Sequence, residues 1–217
     1  MGEINLLKNY PKTSRDLSQR SKKKREHQEI ARKFGRDFFD GDRSVGYGGF
    51  NYNVKYWDIV VQDFIKYYQL DNNSSILDIG CGKGFMLYDF RRYLPNAHLK
   101  GLDISEYAIN NSLKDIKKDL DMGCCSQLPY SDKSFDLVIS INTIHNLDLE
   151  QCKIAVKEIV RVSRKNAFII VDAYNNDQQK KNLFDWNLTA KTILHQNEWI
   201  RLFKENNYKG DYFWFCP

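Results

Sequence analysis

The segment Ile76-Leu77-Asp78-Ile79-Gly80-Cys81-Gly82-Lys83-Gly84-Phe85-Met86-Leu87 narrows what this chain can become more than any other. An apolar run stops in glycines at alternate positions and restarts as an apolar stretch, which reads as a buried strand, a tight turn and a helix. Glycines at the carboxyl end of a strand let the backbone pass close to a nucleotide. A carboxylate follows at Asp103, 19 residues past Gly84, where the next strand ends and where it can accept both hydroxyls of a ribose. A dinucleotide site of this kind wants a third glycine at the sixth position of G-x-G-x-x-G, and Phe85 stands there. Asp78 would repel a pyrophosphate and suits a ligand with a cationic group.

From Ser75 onward, short apolar runs alternate with segments of helix length. Strands are predicted over 76–79, 98–103, 135–141 and 167–173, with helices near 84–94, 105–117 and 149–164. The alternation specifies an α/β fold, a mostly parallel sheet with helices on both faces. The tail adds a helix near 176–186, a strand at 189–195, a helix over 197–206 and a last strand over 211–215. Upstream, 16–39 reads as a polar helix with one docking stripe, Ile30, Phe34 and Phe38, and 57–68 as a helix burying Ile59, Val60, Phe64 and Ile65. Between them, Asp40 to Tyr52 is rich in glycine and aromatics, the composition of a lid loop. The expected division is a helical arm and lid over 1–56 and an α/β domain over 57–217.

The whole formal charge of +5 sits in residues 1–46, which hold 12 Lys/Arg and 7 Asp/Glu, while the remaining 21 and 21 cancel. Such an arm suits a nucleic acid or an anionic substrate, and equally a solvated helix carrying Lys22 to Arg25. The basic run, interrupted by Glu26 and Glu29, is too short to argue RNA binding by itself, so a nucleic-acid partner is disfavoured. No apolar run approaches the ~20 residues of a membrane span. The five cysteines form no C-x-x-C pair and no zinc spacing with the four histidines. A cytoplasmic protein with reduced thiols, no metal and no membrane partner is expected.

Three further motifs follow the glycine turn in order: Gly101-Leu102-Asp103-Ile104-Ser105; Leu128-Pro129-Tyr130 with Ser134-Phe135-Asp136-Leu137-Val138; and Glu158-Ile159-Val160-Arg161-Val162. On these, residues 57–217 resemble class I S-adenosylmethionine-dependent methyltransferases of the small-molecule type, similar to the ubiquinone and menaquinone group. The Gly41-Asp42-Arg43 and Gly46-Tyr47-Gly48-Gly49-Phe50 of the lid are similar to methyltransferases of bacterial capsule and surface-polysaccharide pathways. The resemblance implies a Rossmann-like seven-stranded sheet, S-adenosylmethionine as cofactor and a small-molecule acceptor. It also implies roles for particular residues. Asp78, Gly80, Cys81, Gly82 and Gly84 would surround the methionine and ribose, Asp103 would hold the ribose hydroxyls, and Ile104 would pack on the adenine. The backbone at Cys125 would meet the adenine edge, and Asn142 would face the methionine. Where the family often carries an Asp for the adenine amine, this chain has Gly123-Cys124-Cys125, so Ser126 or a backbone carbonyl is the expected substitute.

In-line attack on a sulfonium methyl is mostly positioning, and a base is needed only for a nucleophile that arrives protonated. His145, three residues after Asn142, is the candidate base, its ordinary pKa near 6.5 suiting the task. A histidine capping the next helix or packed under the lid would look the same in sequence. Arg43, Tyr47, Tyr52, Asp172 and Tyr174 are the candidates for the substrate side, with Arg43 pairing a phosphate or carboxylate and Asp172 alternatively anchoring the lid. The amino-methylating motif of nucleic-acid enzymes is missing, since Ile141-Asn142-Thr143-Ile144 stands in its place. The reading is therefore O- or N-methylation of a small polar metabolite, an anionic one if Arg43 contacts it. The rivals are an RNA methyltransferase using the basic arm and a non-catalytic cofactor-binding subunit of another protein. The sequence carries no sign of oligomeric state.

Overall fold

The strand that ends in the glycine turn is β1 (Ser75–Ile79), buried along its whole length in the computed structural model, which describes residues 1–11, 23–46 and 51–216. Burial on both faces is what a continuous apolar run in a parallel sheet requires. β2 (His98–Asp103) and β4 (Phe135–Ile141) flank it, Ile79 lying opposite Leu102 on one side and Ser140 on the other. β3 (Leu120–Met122) pairs beyond β2, and β5 (Ser163–Tyr174) beyond β4. β5 also pairs with β7 (Asp211–Phe215) from Phe168 to Asp172, and with the two-residue β6 (Leu194–His195) at Ala173 and Tyr174. Among the described residues all these pairings are parallel, so the seven-stranded Rossmann-like sheet expected above is present. Strand order turns back between β1 and β4, which opens a ligand crevice outside their carboxyl ends.

Alternate residues of each strand serve opposite faces. One face packs Val138, Ile169 and Val171 against α7 (Leu149–Val162) and α9 (Gln196–Glu205), with Trp199 and Phe203 fully buried; α8 (Asp177–Trp186) lies between these helices in the chain. The other packs Leu137, Ile139 and Phe168 against α3 (Val54–Tyr68) and α4 (Phe85–Tyr93). There Phe64 meets Phe168 edge to face at 5.1 Å, and truncating such a ring to Ala costs about 3–5 kcal/mol. The motif around Arg161 is structural: its guanidinium donates to the carbonyls of Leu128 and Tyr130 and to Glu158, and Glu158 accepts the Leu128 N–H.

Several sequence expectations are corrected. The helix over 105–117 is two short helices, α5 (Glu106–Asn110) and α6 (Lys114–Lys117), because Asn111 and Ser112 turn their side chains onto the Tyr107 and Ile109 carbonyls. β3 was not foreseen; three residues carry too little pattern. The arm is α1 (Lys24–Ala31) and α2 (Arg36–Asp40), broken where Phe34 takes a φ of +48° before Gly35. Its buried residues are Ala31 and Phe39 rather than the expected stripe. Residues 1–11 lie against the sheet: the Ile4 N–H donates to Tyr212 O at 2.9 Å, the Tyr212 N–H donates to Gly2 O at 3.0 Å, and Leu6 joins the core. No described helix is long and apolar enough to cross a membrane.

Candidate active site

At the carboxyl ends of the central strands lies one continuous cavity of about 1390 Å³. Its nucleotide-like end is built by the glycine turn. Gly80 and Gly82 hold φ of +78° and +54°, and a side chain on Gly80 would overlap Thr143, whose hydroxyl bonds the Ile79 carbonyl. Gly84 faces away from the cavity, and a Cβ there would press on Ile116 and Leu120, so its conformation serves packing. Asp103 accepts the Gly82 N–H at 2.7 Å on one oxygen and the Ser105 N–H at 2.8 Å on the other. Burial raises its pKa even so.

Asp78 is the group that tests whether S-adenosylmethionine suits this cleft. Its carboxyl lines the cavity, 6% exposed, with no hydrogen-bond partner among the described residues. Burial and then the charge of Asp103 push its pKa up to about 7. A ligand ammonium would relieve both penalties, and each Asp103 oxygen keeps a lone pair for a hydroxyl. Ile104, an apolar side chain left 56% exposed at the cavity wall, offers a flat base a surface. The residues fit the cofactor.

The arm closes over this end. Asp40 takes Lys83 Nζ at 2.5 and 2.8 Å and the Tyr107 hydroxyl at 2.7 Å, while the Ser105 hydroxyl donates to Phe34 O. Burial works against the ionised Asp40, yet Lys83 and Tyr107 hold its pKa below the ordinary value. Phe39 lies 3.4 Å from where a Cβ on Gly82 would sit. Sequence reasoning missed this contact, although a lysine inside a glycine turn was its visible sign.

His145 is 2% exposed and lines the same cavity. It sits in a 3₁₀ turn, Ile144–Asn146, its carbonyl accepting from the Lys191 and Thr192 N–H groups. Nδ1 accepts the Asp172 N–H at 2.9 Å and lies 3.8 Å from that carboxylate. Burial lowers its pKa despite the charge of Asp172. Asp172 is itself fixed: Asn187 donates to its carboxylate and the Trp199 ring N–H to its carbonyl.

The structure brings Asp78, Gly80, Cys81, Gly82, Asp103, Ile104, Cys125, Asn142, His145 and Asp172 to the cavity. It places Gly84, Ser126, Arg43, Tyr52 and Tyr174 off its lining. Ser126 meets Cys124 Sγ at 3.1 Å, and Tyr52 bonds the buried Asp89 of α4 at 2.6 Å, beside Arg92. Tyr47 and Phe50 lie outside the described residues. The cations that do line the cavity are Lys8, Arg32, Lys33, Lys83 and Lys191. Among the described residues, no three His, Cys, Asp or Glu side chains converge as a metal site would need.

A Rossmann-like parallel sheet with an acidic, glycine-lined cleft at its switch point defines a nucleotide-cofactor domain of the methyltransferase type. Residues 70–207 match the methyltransferase-domain family, and the chain belongs to it, as a class I S-adenosylmethionine-dependent methyltransferase domain. The chain is 31% identical over 137 residues to a tRNA (carboxymethyluridine(34)-5-O)-methyltransferase of Arabidopsis thaliana, covering 60% of this chain and 31% of that protein. It is 35% identical over 106 residues to ajmaline N-methyltransferase of Rauvolfia serpentina, covering 45% of this chain and 35% of that one. The chain thus spans about a third of the length of each of these relatives. The fold is similar to that of the YcgJ protein of Bacillus subtilis, with a TM-score of 0.55 at 20% identity over 67% of this chain and 66% of the other.

Proposed function

We propose that this chain transfers a methyl group from S-adenosylmethionine to an oxygen or nitrogen of a small polar metabolite that carries an anionic group. The observation that supports this most is the cavity, whose volume of about 1390 Å³ exceeds the roughly 300–1,000 Å³ of a single-ligand pocket. One end has the glycine turn, Asp78 and Asp103; the remainder has room for an acceptor. The stretch from Asn142 to His145 leads from the first to the second, since Thr143 touches Gly80 and the His145 carbonyl bonds the Lys191 N–H.

When bound, S-adenosylmethionine supplies an electrophilic methyl group on a sulfonium and leaves as S-adenosylhomocysteine. The chain's own residues do the rest. Asp78 would neutralise the ligand ammonium, Asp103 would accept from the ribose hydroxyls, and the Lys83–Asp40 pair would hold the arm down to exclude water. His145 has its acceptor nitrogen occupied by the Asp172 N–H, so the proton it has left to offer is an N–H on its other nitrogen, and it orients rather than deprotonates. The acceptor atom then arrives as a neutral amine or an already ionised oxygen.

The reading is tested by calorimetry with S-adenosylhomocysteine and a screen of small acids for the mass gain of one methyl transfer. RNA methylation is the second reading, supported by the charge of the arm. Transfer to RNA, with affinity that falls steeply with salt, would favour it over the small-molecule reading.

A further inference from the structure

We infer that the acceptor is a flat aromatic acid, an aryl ring bearing a carboxylate or phosphate. The inference rests on the methyltransferase reading and concerns the part of the cavity that the cofactor leaves open. Two ring pairs from four separate parts of the chain line that part. Tyr10 and Trp57 meet at 5.0 Å and 62°, and Trp186 and Phe215 at 5.0 Å and 41°. Tyr10, Trp57 and Phe215 all pack against the same core on the same side of the sheet, so each pair has a ring on that side.

Aromatic walls accept either of two kinds of ligand, an organic cation or another flat ring. Charge decides between them. Lys8, Lys33 and Lys191 line the cavity, and none has a carboxylate partner among the described residues. Of the other two cations in the lining, Lys83 is paired with Asp40 at the cofactor end, and Arg32 donates, among the described residues, to the Ala190 carbonyl at 3.3 Å. Asp78 and Asp103 belong to the opposite end, and Asp172 is 1% exposed with its carboxylate held by Asn187. Among the described residues, an organic cation there would face Lys8, Arg32 and Lys191, with the buried Asp172 as the one carboxylate in that part of the lining. A flat ring with an anionic substituent meets both features, its face on the ring pairs and its charge toward the lysines. An aliphatic acid would satisfy only the lysines.

The test is titration of the full chain, saturated with S-adenosylhomocysteine, against four probes, read by tryptophan fluorescence and calorimetry. The probes are 4-aminobenzoate, phenyl phosphate, cyclohexanecarboxylate and benzylamine. The aryl anions are expected to bind about tenfold or more tightly than cyclohexanecarboxylate or benzylamine. The stronger of the first two identifies the anionic group. Lys191→Gln, at an exposed position, should weaken aryl-anion binding about threefold to tenfold and leave S-adenosylhomocysteine affinity unchanged. Trp57→Leu should remove the preference for the aryl over the cyclohexyl acid, and Trp57→Phe should restore it. Equal or tighter binding of benzylamine or cyclohexanecarboxylate, or binding of none of the four, overturns the inference while the cofactor assignment stands. Failure of S-adenosylhomocysteine itself to bind strikes instead at the methyltransferase reading and removes the ground beneath this one.

Discussion

The backbone N–H of Asp172 donates to Nδ1 of His145 at 2.9 Å, and this single bond settles which imidazole nitrogen carries the proton. A neutral imidazole has one donor and one acceptor nitrogen, so with Nδ1 accepting, the proton rests on Nε2. Burial, opposed by the Asp172 charge, lowers the pKa and keeps the ring neutral near pH 7.

Turnover should therefore show no titration near 6.5. His145→Ala should reduce kcat about fivefold, the worth of one hydrogen bond of roughly 1 kcal/mol, and His145→Gln, which keeps a donor, should recover part of it. A kcat profile between pH 6 and 9 that falls with an apparent pKa near 6.5 would return His145 to the role of base.

Asp78 gives the stability of the ligand-free chain a distinctive pH dependence. Its folded pKa of about 7 lies above its unfolded value, so between about pH 4 and 7 the native state binds more protons than the unfolded one. Stability should fall as pH rises through that window and level off above it. His145, with a lowered pKa, acts in the opposite direction, so the informative quantity is the difference between wild type and Asp78→Asn in thermal scans. A difference that does not change from pH 4.5 to 7.5 would contradict the assignment of an uncompensated carboxylate. Binding of an ammonium ligand should release a proton below pH 7, which calorimetry in buffers of different ionisation enthalpy can count.

Asp103→Ala should weaken S-adenosylhomocysteine by about 2–3 kcal/mol, through the loss of charge-assisted hydrogen bonds to the ligand and of the acceptor for the Gly82 and Ser105 N–H groups. Calorimetric titration would measure it. Unchanged affinity would detach Asp103 from the ribose.

Asp40→Asn removes the charge that faces Lys83 beneath the arm. With Lys83 only 5% exposed, the loss should destabilise the fold by about 1–3 kcal/mol and speed S-adenosylhomocysteine dissociation in stopped-flow measurements. An unaltered dissociation rate would show that the arm does not retain the cofactor.

What could be read in advance was whatever the chain writes locally. The glycine turn, Asp103 and the strands around them are short-range patterns of period, turn and burial, and they fall where expected. The arm broke at Phe34 and Gly35, where one left-handed residue ended a run of helical spacing. The aromatic lining of the cavity was invisible for another reason. Tyr10, Trp57, Trp186 and Phe215 each read as an ordinary core or surface ring, and only the fold makes them neighbours. Arg43 drew attention by standing beside glycines, whereas the cations lining the cavity are scattered from Lys8 to Lys191.

The strap formed by the first residues on β7 has a consequence for the order in which the molecule assembles. The bond from Gly2 to Asp211 joins positions 209 apart, whereas β1, its glycine turn and β2 are contiguous. Long loops are costly to close and distant contacts form slowly, so the nucleotide cleft should organise first and the aromatic wall last. Pulsed hydrogen exchange during refolding should find the Gly80 and Gly82 amides protected before that of Ile4. A refolding chain would then recognise its methyl donor before it could tell one acceptor from another.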